Sequence, residues 1–288
     1  MLSSRKLCVV TAVMIIAVAN VLVFHRVFLL SGFDAVPGAI GDGLYNLAVL
    51  EHWRRVVTVA ESWSSPNWYY PVTGVLGYSD ALVLLAPPYV AARLLGLGAV
   101  ASLGLAQISA SALGFAGMVV VLRGLLSLAW PAVLAGAAGF ATASGLYQSL
   151  TAGHVQMMAI EALPWFAALG LLYLRSGRAG WGAVAALMLS LILCTSFYVG
   201  WFICVQMIVA GGLTVVLFPG LVGGWVVAQR WSIIRVGAAF VFSLLPFISL
   251  YGSVALHSPP RPWAEVVRTL PDITQLFEVR GAAVWGPV

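Results

Sequence analysis

Residues 81–98 read ALVLLAPPYVAARLLGLG, and the topology of the whole chain turns on whether this segment crosses a membrane. It is apolar and close to the ~20 residues a spanning helix needs, yet it carries Pro87-Pro88 and Arg93. If it crosses, Arg123 lies outside, His154 inside, and Arg175 and Arg178 outside. If it dips into the outer leaflet and returns, then Arg5, Lys6, Arg123, Arg175, Arg178, Arg230 and Arg235 all face the cytoplasm. The 9 acidic residues then fall outside or at the outer edge of a helix. Lysine and arginine concentrate in cytoplasmic loops, so the charge count selects the segment that returns. Paired prolines also suit a broken or re-entrant helix better than a straight span.

The rest of the chain fits that frame. It is 62% hydrophobic and 8% charged, where a soluble domain carries roughly a quarter charged residues, and its mean hydropathy is +1.02. Continuous apolar runs cover residues 7–24, 100–122, 132–150, 157–174, 181–201, 202–221 and 232–256. They predict an all-α polytopic membrane protein with about seven transmembrane helices. Continuous rather than alternating apolarity excludes an outer-membrane barrel.

Residues 1–256 form the expected transmembrane domain, with interfacial helices in a first outer loop at 25–99. Residues 257–288 form an outside tail shorter than a domain of its own, and the chain is expected to be shorter than its relatives. The run from Leu7 continues past the cleavage-like Ala17-Val18-Ala19, which favours an uncleaved anchor over a signal peptide. A net charge of +5 without a basic cluster longer than two residues excludes a nucleic-acid partner. Cys8, Cys194 and Cys204 lie in apolar runs and read as small core residues.

Four polar clusters are candidates for chemistry. Residues 38–52, GAIGDGLYNLAVLEH, hold Asp42 between two glycines and continue to Asn46 and Glu51-His52. The glycines alone read as a turn. The stretch 45–60 is amphipathic at helical spacing, and a helix starting early enough would put Asp42 and Asn46 on one face. The second cluster runs from Asn67-Trp68-Tyr69-Tyr70-Pro71 to Tyr78-Ser79-Asp80, where Asp80 could equally N-cap the apolar segment that follows.

The third cluster is His154 and Gln156, at an outer connection between helices, with Glu161 about two turns on. Ionisable groups at membrane depth are expensive and tend to be functional. The fourth is Arg261 to Glu265 with Arg268 and Arg280, a set that suits an anionic headgroup or phosphate, or simply solvated loop charges. No nucleotide-binding P-loop, HExxH or GxSxG sequence is present. The cofactor these donors admit is a divalent cation, Mg or Mn, shared by Asp42 and Asp80 if the two meet.

At these residues the chain resembles the bacterial polytopic membrane glycosyltransferases of the GT-C fold. The resemblance is carried, in order, by GDGLYNLAVLEHW, SWSSPNWYYPVTGVLGYSD, LLAPPYV, VVVLRGLL, AGHVQMMAIEALPW and LLYLRSGR, from Asp34 to Arg178. It implies inverting transfer of a sugar from a polyprenyl-phosphate carrier to a glycan, lipid or protein acceptor, on the extracytoplasmic face of the bacterial inner membrane.

By the same resemblance Asp42 is the catalytic base. Asn46, His52, Tyr70, Asp80, His154, Gln156, Arg261 and Glu265 complete the expected substrate site. The runner-up is a lipid-linked sugar transporter or flippase, which would bury polar groups midway along its helices. A third reading is a truncated, inactive or accessory remnant.

Overall fold

The computed structural model describes residues 4–35, 40–69, 71–143, 153–257 and 262–269. Among these the chain is helical and no strand is present. Helix α1 (Ser4–Phe24) turns at His25 into the short α2 (Arg26–Leu30). Helix α3 (Ile40–Val59) and α4 (Ala86–Leu94) follow, separated by short 3-10 turns at Asn67–Tyr69 and Val75–Tyr78. Helix α5 (Ala99–Val119) runs on through a π-helical turn at Val120–Leu125, and α6 is Trp130–Ala141.

A 3-10 stretch at Val155–Ala162 leads into α7 (Leu163–Ser176). Helices α8 (Ala179–Thr195), α9 (Phe197–Leu217), α10 (Pro219–Ser243) and α11 (Leu245–His257) follow. Last comes α12 (Trp263–Thr269).

Among the described residues four helical segments are long and apolar enough to cross a bilayer: Leu7–Phe24, Ala99–Leu125, Val155–Ser176 and Phe197–Leu217. The pair α10–α11, bent by 52°, makes a fifth if it acts as one broken span. Pro246 at the start of α11 accounts for the bend, because its ring displaces the carbonyl one turn back. The seven full-length spans expected from the apolar runs are not all present among the described residues. Two runs hold shorter helices, α6 with 12 residues and α8 with 17, and residues 144–152 lie outside the described set.

The run at 181–201 is also cut earlier than its hydropathy suggests. Ser196 is extended (φ −145°, ψ 110°), so α8 ends at Thr195 and α9 begins at Phe197. Residues 81–98 hold only the nine-residue α4, too short to span. Its prolines start the helix rather than break it. Pro87-Pro88, Pro131, Pro164 and Pro219 all sit in first turns, where an N–H would have no intrahelical partner.

The largest core brings the outer-loop elements against the ends of candidate membrane helices. It joins α3, α4 and the 75–82 turn to the first half of α5 and the 155–158 turn, through Leu50, Leu76, Leu82, Leu85, Tyr89 and Leu103. Only 6% of the α1 span is buried, consistent with lipid contact. Cys8 is exposed on α1 rather than packed in a core, Cys194 is buried, and Cys204 is partly covered.

Polar ties lock this layer. Glu51 on α3 accepts hydrogen bonds from Tyr89 Oη at 2.6 Å, Arg93 Nε at 2.6 Å and Arg54 Nε at 2.7 Å. Trp53 Nε1 donates to Ala81 O at 2.6 Å. The buried His25 and Ser111 share a hydrogen bond of 3.0 Å that fixes the α1–α2 corner against α5.

Candidate functional site

Helix α3 begins at Ile40, so Gly41-Asp42-Gly43 is helical and not a turn. Asp42 therefore occupies the first turn, where unpaired backbone N–H groups favour a carboxylate. Asn46 follows one turn later on the same face, as the spacing predicts. It is buried, and its Nδ2 donates to Gly153 O at 2.7 Å. That bond pins the 153–154 connection to α3. Gly153 takes φ +85°, a left-handed conformation open to glycine without strain. The next residue, His154, brings Nδ1 to 3.5 Å from Asp42 Oδ2.

Asp80 does not cap the helix that follows it, because α4 starts at Ala86 without a side-chain cap. Its Oδ1 instead accepts the Phe197 N–H at 2.7 Å, capping α9 from 117 residues away in sequence. This bond lies at the break of the apolar run at Ser196, beside the Ala81 N–H to Cys194 O and Leu84 N–H to Thr195 Oγ1 bonds. Burial pushes the Asp80 carboxyl above the usual carboxylate range, against the opposing pull of the Phe197 N–H and of nearby His154.

Asp42, Asn46, Asp80, His154 and Gln156 line one open cavity of about 490 Å³, within the size range of small-molecule sites. The lining is otherwise largely aromatic, with Tyr45, Tyr78, Phe197, Tyr198 and Tyr251. Phe197 stacks against Phe247 and Trp201 with interplanar angles of 7° and 9°. Tyr251 Oη donates to Ser79 O at 3.1 Å, holding α11 over the 75–80 turn. Gly77 makes that approach close, since a Cβ there would overlap the Leu250 carbonyl. Gln156 Oε1 is buried without a hydrogen-bond partner and belongs to the lining, an acceptor left for a ligand.

Other expected site residues lie elsewhere. His52 is fully buried in the clasp of the outer loop, with Nε2 at 3.0 Å from Trp63 O and Nδ1 at 3.3 Å from Glu61 Oε2. Glu265 is exposed on α12 and does not line the cavity. Tyr70 and Arg261 lie outside the described residues. Glu161 is buried behind the site, packed over Gly114 of α5, in a separate apolar cavity of about 220 Å³.

Phe197, Tyr198 and Tyr251 were missed in the sequence because each sits inside an apolar run. The Ser-Phe-Tyr interruption at 196–198 is the one signal that pointed to them. Asp42 and Asp80 reach the same cavity from different walls, but no group of three or more His, Cys, Asp or Glu side chains converges among the described residues.

Compared with models of protein families, curated proteins and solved structures, the chain matches none.

Proposed function

We propose that the chain transfers a sugar from a polyprenyl-phosphate carrier to an acceptor hydroxyl at the extracytoplasmic face of a bacterial inner membrane, with inversion and with Asp42 as base. The observation that carries the reading is the pairing of an exposed Asp42 with His154 in a cavity walled by carboxylates, amides and aromatic rings. A sugar ring has an apolar C–H face and a rim of hydroxyls. The tyrosines and Phe197 suit the face, and Asp80, Asn46 and Gln156 suit the rim.

In the reaction Asp42 takes the acceptor proton while the acceptor oxygen bonds to the anomeric carbon. The bond from that carbon to the phosphate oxygen breaks, and the carrier phosphate leaves with the electron pair. His154, placed beside Asp42 and near Asp80, keeps the base in position and offers a ring N–H to the departing phosphate. No step is assigned to a metal. The resemblance of the ordered motifs from Asp34 to Arg178 supports this reading. So does the cavity's place at helix ends, since a transporter would carry its site midway along the helices.

The test uses membranes carrying the full chain and a panel of polyprenyl-phosphate sugars, reading release of the free carrier phosphate. Asp42→Asn should lower turnover by roughly 10²–10⁴-fold, the usual worth of a general base, while the protein inserts and melts as wild type. Full turnover in a folded Asp42→Asn protein would overturn the assignment.

A further inference from the structure

A second cavity, of about 610 Å³, lies among α7, α8, α9 and α10, away from the candidate site. Its walls are almost wholly apolar and include Phe166, Tyr173, Leu189, Met207, Trp225 and Phe240. One polar atom within it lacks a partner: the buried Tyr173 Oη. Two of its lining glycines leave room for a larger side chain. At Gly170 and Gly237, both in its lining, an added Cβ would meet nothing within 4 Å.

The end of the bundle beside this cavity is cationic. Ser232 Oγ donates to Gly177 O at 2.7 Å, and Gly177 packs against Gln229. These contacts set the α7–α8 turn, with Arg175 and Arg178, at the level of Arg230 on α10. Residues 162–264 contain no Asp or Glu. No salt bridge reaches Arg175, Arg178, Arg230 or Arg235 among the described residues. The 17 residues of α8 separate this end from Asp80 and Phe197, about 25 Å at 1.5 Å per residue.

We propose that this cavity is a binding site for an anionic glycerophospholipid of the cytoplasmic leaflet. One acyl chain fills the space between α7 and α10, Tyr173 Oη donates to the ester or phosphate region, and Arg178 and Arg230 hold the phosphate. Apolar volume at membrane depth excludes water, which needs two to four polar partners, and a hydrocarbon chain needs none. Arginine gives charge and directional hydrogen bonds to phosphate. Arginines that no carboxylate neutralises among the described residues select an anionic headgroup over a zwitterionic one. The site is independent of the sugar-transfer reading, because it shares no residue with the other cavity.

The full chain is purified in mild detergent, stripped of lipid, and titrated with phosphatidylglycerol or phosphatidylcholine, with occupancy read by native mass spectrometry. Wild type should retain one phosphatidylglycerol and prefer it over phosphatidylcholine by about tenfold. Gly170→Leu and Gly237→Leu, which place side chains in open space, should keep the wild-type melting behaviour and weaken retention by about tenfold or more.

Arg178→Gln with Arg230→Gln should erase the headgroup preference while leaving weak binding. Equal retention by the leucine variants overturns the site. Indifference to headgroup, or a polyprenyl phosphate co-purifying in place of phospholipid, overturns the assigned occupant.

Discussion

Asn46→Ala tests the geometry of the candidate site without touching its reactive groups. Asn46 Nδ2 donates to Gly153 O at 2.7 Å in a buried setting. Losing one partner of a buried hydrogen bond costs about 1–3 kcal/mol. Gly153 O also accepts the Val155 N–H at 2.9 Å, so the carbonyl keeps a partner and the lower part of that range, about 1–2 kcal/mol, applies. That energy holds the 153–154 connection on α3, so it also sets how often His154 stands beside Asp42. A loss of about 1.4 kcal/mol corresponds to a tenfold change in that population.

Asn46→Asp should be worse than Asn46→Ala, because it sets a buried carboxylate against a carbonyl oxygen. Two assays follow the effect without knowledge of the substrate. Hydrogen exchange at residues 153–160 should quicken by about tenfold. The rate at which diethylpyrocarbonate modifies His154 should change, while the buried His52 and His25 stay protected. A folded Asn46→Ala protein with unchanged exchange at 153–160 and unchanged thermal stability would refute the claim that this bond positions His154.

Further outcomes follow from the packing around the site. Gly77→Ala sets a Cβ against the Leu250 main chain, which cannot yield as a side chain would. It should cost about 1–3 kcal/mol and release α11 from the 75–80 turn, read as faster proteolysis near Tyr251.

Gly114→Ala places its Cβ on Glu161 Oε2 and should lower the melting temperature. In a Glu161→Ala background the clash with the carboxylate is gone but the residue-161 Cβ still stands 3.0 Å away, so the loss should shrink without vanishing, and a cycle of four melting curves checks the coupling.

Glu51 is desolvated by burial, but the hydrogen bonds from Tyr89, Arg54 and Arg93 outweigh that and lower its pKa. A lowered carboxylate pKa contributes stability that is present above the unfolded value of 4.5 and is lost as pH falls through the folded one. Acid should therefore loosen α4 from α3, and Glu51→Gln should remove that part of the pH dependence, as read from melting curves between pH 3 and pH 6.

Composition and apolar runs were enough to establish a helical membrane protein, because the energy of placing side chains in lipid depends on each residue alone. Charge distribution was enough to predict that residues 81–98 would not make a full span, and the Asp42/Asn46 spacing to predict one helix face. These are local or additive properties, readable along a chain. The span count was not readable this way. A hydrophobic run does not show where a helix breaks, and the helix that follows the break at Ser196 is capped by a carboxylate far away in sequence.

Asp80 shows the difference most clearly. Next to an apolar segment it looked like a cap for that segment's helix, and it caps another. His52 looked like a site residue because it followed Asp42 on an amphipathic stretch, yet it points to the other side of α3, into the loop clasp. Tyr198 and Tyr251 were invisible inside apolar runs until the fold placed them in the same cavity as Asp42. The sequence by itself thus determined a chain of apolar helices, several of them long enough to span a bilayer, and the first wall of the cavity, since both follow from local periodicity and summed transfer energies. Only the tertiary structure decided which helices are short, which polar groups are structural ties, and which side chains share a cavity. Those outcomes depend on hydrogen bonds and contacts between residues separated by scores of positions, such as Asn46 with Gly153 and Asp80 with Phe197.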